Sequence, residues 1–103
     1  MADKYKVRFL PLFEKDLSDA VDYICNELQN PTAAANLIDA VEDAITERSS
    51  CAESFEPYES LRDRQHTYYR IYVGNFIVFY VAIDDIMEVR RFIYNKRDLK
   101  KHI

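Results

Sequence analysis

With 103 residues, about half of them hydrophobic, the chain is long enough for one domain (1–103) with one modest core. One glycine and three prolines leave no linker or low-complexity stretch, and no apolar run nears the ~20 residues of a membrane span. Residues 1–4 lack the apolar stretch of a signal peptide, so a cytoplasmic location is expected. The net charge of −4 is unevenly spread. Residues 1–59 hold 5 basic and 13 acidic side chains, and residues 60–103 hold 9 and 5. The second half can attract nucleic acid or an acidic partner, or its cations simply solubilise a sheet.

Tyr5, Val7 and Phe9 alternate with Lys6 and Arg8, which predicts a short strand ended by Pro11. Phe13, Leu17, Ala20, Val21, Ile24 and Leu28 then fall at helical spacing, with Glu14, Asp16, Asp19 and Asp22 on the opposite face. Asn30 suits an N-cap and Pro31 a first helical position, so a second helix follows at once. Its apolar set is Ala34, Leu37, Ile38, Val41, Ala44 and Ile45, against Asp39, Glu42, Asp43 and Glu47 outside. So short a link predicts an αα-hairpin. The acidic stripe reads as a solvated exterior or a docking face. It contains no histidine and no calcium-loop pattern, so neither metal nor cofactor is expected.

On this geometry Cys25 and Cys51 lie roughly 25–30 Å apart at 1.5 Å per helical residue, too far for a disulfide, and two free thiols are expected. From Ser49 to Thr67 the periodicity lapses into a loop that Phe55, Pro57 and Tyr58 would pack down, ending in polar Leu61–His66.

Tyr68–Val73 is aromatic and β-branched, Gly74-Asn75 is a two-residue hairpin link, and Phe76–Ile83 is apolar at every position. The last of these has no solvated face, which predicts a central strand buried on both sides. Asp84-Asp85 turns the chain again, and Met87–Tyr94 forms the final strand. The whole is an α+β fold, β-α-α-β-β-β. A helix hairpin packs on one face of a largely antiparallel four-stranded sheet, and a short C-terminal tail follows. Ile71 and Val73 should face the helices, with Arg70 and Tyr72 turned away. Arg90 and Arg91 are adjacent and should face opposite sides, so one of them needs an acidic partner from the helix hairpin.

The far face and tail therefore offer Arg70, Tyr72, one of Arg90 and Arg91, Tyr94, Lys96, Arg97, Lys100, Lys101 and His102. Arginines suit phosphate and aromatics suit bases. RNA cleavage would need a base, an acid and cations. The only histidines, His66 and His102, sit in segments expected to be exposed.

The runs Tyr69-Arg70-Ile71-Tyr72-Val73-Gly74-Asn75-Phe76, Phe79-Tyr80-Val81 and Val89-Arg90-Arg91-Phe92-Ile93-Tyr94-Asn95-Lys96-Arg97-Asp98 resemble the RelE/ParE superfamily, toxins of bacterial type II toxin–antitoxin modules. Phe9-Leu10-Pro11 leading into Phe13-Glu14-Lys15-Asp16-Leu17 is similar to its opening. The resemblance implies a cognate antitoxin partner and a role in growth inhibition and plasmid stabilisation. It also implies one of two targets, DNA gyrase for ParE-like members or mRNA on the ribosome for RelE-like endonucleases. The nuclease pattern is only partly met. Arg70 is kept, but Tyr72 replaces a lysine, Ile77 replaces an arginine, and Lys96-Arg97 stands where nucleases place an arginine or a His/Tyr pair. Gyrase is the expected target. The alternatives are an endoribonuclease using Arg70, Lys96, Arg97 and His102, and a non-toxic binding module on the same fold.

Overall fold

The computed structural model describes residues 4–55, 57 and 66–95. Strand β1 (Lys6–Phe9) leads through Leu10 into helix α1 (Pro11–Asp22), which begins on a proline as the first turn of a helix tolerates. Helix α2 (Pro31–Arg48) is capped by Asn30, whose Oδ1 accepts from the Ala33 N–H at 3.1 Å. Strands β2 (Tyr68–Val73), β3 (Phe76–Ile83) and β4 (Ile86–Tyr94) form the meander. Gly74 closes the first hairpin with φ +58° and Asp84 the second with φ +56°, the left-handed backbone that primed hairpin turns demand at a central position.

The sheet order is β1-β4-β3-β2. The meander is antiparallel as the sequence predicts, but β1 joins β4 in parallel, with Lys6 opposite Ile86 and Phe9 opposite Val89. The sheet is thus mixed. A parallel partner is reached only after a long connection, here everything from α1 through β3, which no local signal in β1 announces.

The helices cover one face. Phe13, Val41 and Ile45 pack with Ile71, Val73, Val78, Tyr80, Met87, Val89 and Phe92. Phe92 stacks on Phe76 at 4.6 Å and meets Phe13 edge-on at 6.1 Å. The far face is not the polar surface that alternation predicts. Tyr68, Ile77, Phe79, Val81 and Ile93 form a second apolar cluster there, with Phe79 and Val81 fully buried. The uninterrupted apolar run of β3 supplies both faces, so the central strand is buried twice.

One expected core residue is displaced. After Asp22 the helix continues as a π-helical turn over Tyr23–Glu27, where the Leu28 N–H reaches back to the Tyr23 carbonyl at 3.1 Å. The wider turn inserts a residue and rotates the side chains beyond it. Leu28, predicted on the core face, is 57% exposed, and Tyr23 is 56% exposed.

Arg48, in the last turn of α2, ties that helix to the edge of the sheet. Its Nη1 donates to the Tyr80 hydroxyl at 2.9 Å and to the Arg70 carbonyl at 3.2 Å, while its guanidinium lies 3.5 Å from the centre of the Phe55 ring. The Tyr80 hydroxyl in turn donates to the Ala52 carbonyl at 2.7 Å. Tyr80 is fully buried, so Tyr80→Phe strands the Ala52 carbonyl in the interior and takes one of its two acceptors from Arg48 Nη1. It should cost about 1–3 kcal/mol in urea unfolding, since an orphaned buried partner loses its bond and still bears its desolvation penalty. An unchanged midpoint would show that water takes over the Ala52 carbonyl.

Both cysteines are free, as expected. No helix among the described residues is long and apolar enough to cross a membrane. Tyr58, Leu61 to Gln65 and the C-terminal tail lie outside the described residues.

Candidate functional site

The expected site residues divide between two surfaces. On β2, Tyr69, Ile71 and Val73 pack under the helices, so the alternate residues Tyr68, Arg70 and Tyr72 turn to the far face. Tyr72 is 58% exposed, and the Arg70 guanidinium lies 5.8 Å from its ring centre, within cation–π range.

Arg90 is on this face too, for a reason its neighbours do not reveal. Phe79 pairs with Arg91 and Tyr80 with Val89, so Arg90 is the extra residue of a β-bulge. Its Nε donates to Glu88 at 2.8 Å and its Nη1 to the Tyr68 hydroxyl at 3.0 Å. Glu88 also accepts from Arg8 of β1, at 3.0 Å from Nε and through a second, shorter bond from Nη2. A chain Arg8–Glu88–Arg90–Tyr68 therefore crosses the face from β1 to β2. Burial alone would raise the Glu88 carboxyl; the hydrogen bonds from Arg8 and Arg90 outweigh it and hold the group below its ordinary value. The trio of Arg8, Glu88 and Arg90 carries one net positive charge.

Glu88 and Arg8 were not among the expected site residues. Glu88 is legible afterwards as the single acid in Ile86-Met87-Glu88-Val89, a run where a lone charge must find a partner. Ile77, opposite Tyr72, is 1% exposed and belongs to the apolar cluster at the middle of this face.

Arg91 and Tyr94 serve the other surface. Strand β1 is short, and its ladder with β4 ends where the Leu10 N–H meets the Val89 carbonyl at 3.0 Å. Beyond that point α1 runs beside the open edge of β4. Asp16, which helical periodicity assigns to the outer face, instead reaches this edge. Its carboxylate takes both the Arg91 Nε (2.7 Å) and Nη2 (3.2 Å), and its Oδ2 also accepts the Phe92 N–H at 3.1 Å. Arg91 is thus the arginine that an acid of the helix hairpin partners. Above this bidentate pair a cleft of about 810 Å³ opens, walled by Asp19, Tyr23 and Leu28 on one side and by Phe92 and Tyr94 on the other.

Lys96, Arg97, Lys100, Lys101 and His102 lie outside the described residues. His66 is half-buried rather than exposed. No cluster of histidine, cysteine or acidic side chains fit to hold a metal occurs among the described residues. What the described far face can do chemically is bind: it offers Arg70, an aromatic platform and a cationic chain, around an apolar middle.

The model of one protein family, the ParE toxin of the type II toxin–antitoxin system parDE, matches residues 7–99. No curated protein sequence matches the chain significantly. Among solved structures, the chromosomal ParDE toxin–antitoxin system from P. aeruginosa aligns with a TM-score of 0.71 at 11% identity, covering 88% of this chain and 96% of that one. The archaeal RelE-RelB complex from Pyrococcus horikoshii OT3 aligns with a TM-score of 0.55 at 18% identity, covering 93% and 100%. At such identities the likeness is one of fold.

Proposed function

Because the chain belongs to the ParE toxin family of type II toxin–antitoxin systems, we propose that it arrests growth by inhibiting DNA gyrase and is held inactive by a cognate antitoxin. The solved structures of similar fold, a ParDE system and a RelE-RelB complex, are themselves toxin–antitoxin assemblies, which supports the antitoxin partner.

The observation that carries the choice of target is the middle of the far face. A nuclease must bring a base, an acid and cations within hydrogen-bond reach of the scissile phosphate. Among the described residues the centre of that face is Ile77, Phe79, Val81 and Ile93, and the nearest acid, Glu88, is committed to two arginines. Such a surface suits a protein or nucleic-acid contact better than bond cleavage. The endonuclease reading keeps Arg70 beside Tyr72 in its favour, with Arg70 and Arg97 binding the scissile phosphate and Lys96 or His102 assisting proton transfer.

Induction of the chain alone should stop growth, and co-expression of the small protein encoded beside it should restore growth. In pulse labelling, thymidine incorporation should fall before methionine incorporation. Unimpeded growth would remove the toxin reading in favour of a binding module. An earlier loss of methionine incorporation would move the target to the ribosome.

A further inference from the structure

Arg48 reaches from the helix layer to the outer edge of the sheet. It sits in the last turn of α2, where a cation suits the carbonyl end of a helix. Its Nη1 serves two oxygens, the Tyr80 hydroxyl at 2.9 Å and the Arg70 carbonyl at 3.2 Å. Its guanidinium carbon lies 3.5 Å from the centre of the Phe55 ring and 5.7 Å from that of Tyr80. The Tyr80 hydroxyl is itself fixed to the Ala52 carbonyl. A half-buried guanidinium held this way keeps one geometry, because moving it forfeits two bonds and a ring contact together.

In the ladder itself Arg70 is a non-bonded position. β2 is an edge strand, and the two-residue link at Gly74-Asn75 closes on the pair Val73 and Phe76. Bonded and non-bonded pairs alternate in an antiparallel ladder, so Ile71 with Val78 and Tyr69 with Tyr80 are bonded, and Arg70 opposite Phe79 is not. The Arg70 backbone groups therefore point away from β3 to the open edge, and there Arg48 supplies the bond to the carbonyl. The Arg70 side chain leaves the same residue for the far face, where its guanidinium lies 5.8 Å from the centre of the exposed Tyr72 ring. One arginine under the helices thus holds the root of another on the opposite face.

We propose that Arg48 is a positioning residue for target binding: by anchoring the Arg70 carbonyl it holds the edge of β2 so that Arg70 and Tyr72 stand together on the far face. This rests on the reading of the far face as the surface that meets the target, and adds to it a residue outside that surface which sets its geometry. The physical gain is preorganisation. A contact side chain whose backbone is already fixed has less freedom to lose on binding, whereas an edge strand released at Arg70 must be ordered by the target itself.

The test is a double-mutant cycle on the full chain, read as the toxin concentration that half-inhibits gyrase supercoiling. Arg48→Met and Arg70→Ala should each raise that concentration at least tenfold, and the double variant should be no weaker than Arg70→Ala within about threefold. Arg48→Lys keeps the charge and a donor and should lose less than Arg48→Met; it takes the place of Arg48→Met in the cycle if the latter does not fold. Asn30→Ala removes only the cap at the other end of α2. It should lower the melting temperature and leave potency within twofold. Full potency of Arg48→Met or of Arg70→Ala overturns the proposal, as does an equal further loss when Arg48→Met is added to Arg70→Ala; the gyrase reading stands in each case. A loss in Asn30→Ala as large as that in Arg48→Met assigns the effect to stability and also overturns it. If the wild-type chain leaves supercoiling untouched, the gyrase reading falls, and the same cycle read from growth arrest by the chain alone decides the role of Arg48.

Discussion

Phe92→Ala will cost the fold about 3–5 kcal/mol, the range for removing a buried phenylalanine. Phe92 is 4% exposed, stacks on Phe76, meets Phe13 of α1 edge-on, and belongs to the cluster joining helices to sheet. A domain of this size has roughly 5–15 kcal/mol in total, so a large share of its stability goes. At about 4–8 °C per kcal/mol the melting temperature should fall by more than 10 °C. Phe92→Leu keeps much of the volume and should cost less than half as much. Equal losses for the two variants would mean that backbone disturbance at the Asp16-capped edge, and not the ring, sets the effect.

Glu88→Ala should cost roughly 2–3 kcal/mol. Removing the acid leaves Arg8 and Arg90 facing each other, and breaking a buried ion pair from one side is expensive. The figure is set below the full cost of a buried pair because Arg8 is half exposed and water screens it. The same carboxylate makes stability depend on pH. Its folded value lies below the ordinary 4.5, so its contribution is fully present above about pH 4.5 and is lost as pH falls through the folded value. Glu88→Gln keeps the shape without the charge. Between pH 5 and 3 the wild type should therefore lose more stability than Glu88→Gln. Parallel acid profiles would show that the carboxylate gains nothing from its two arginines.

Those two sites also mark where the sequence is readable and where it is not. The meander is written locally: alternating or continuous apolar runs give β2, β3 and β4, and Gly74-Asn75 and Asp84-Asp85 lie where the chain turns. The same holds for Asn30 and Pro31 at the start of α2. What escapes is non-local or a break in period. The parallel pairing of β1 joins residues about eighty positions apart. The π-helical turn at Tyr23–Glu27 rotates Leu28 out of the core although its spacing is right for helix. The bulge at Arg90 decides which arginine serves which surface.

The site divides in the same way. That one of two adjacent arginines would need an acid of the helix hairpin is a solvation argument, and Asp16 meets it. That this acid would also cap the Phe92 N–H could not be read, because the edge exists only once β1 stops short of the end of β4. The apolar far face has a similar origin. Continuous hydrophobicity in β3 tells that both faces are buried, and Ile93 and Tyr68 complete the second cluster from neighbouring strands.

The central proposal is that this member of the ParE toxin family is directed at gyrase and that its far face binds without cleaving. The most direct measurement places the purified chain with DNA gyrase and relaxed plasmid, and in parallel with translating ribosomes and a defined mRNA. Supercoiling should stop at stoichiometric toxin, recover on addition of the antitoxin, and leave the mRNA full-length. Undiminished supercoiling together with mRNA cut at codon positions would contradict the account.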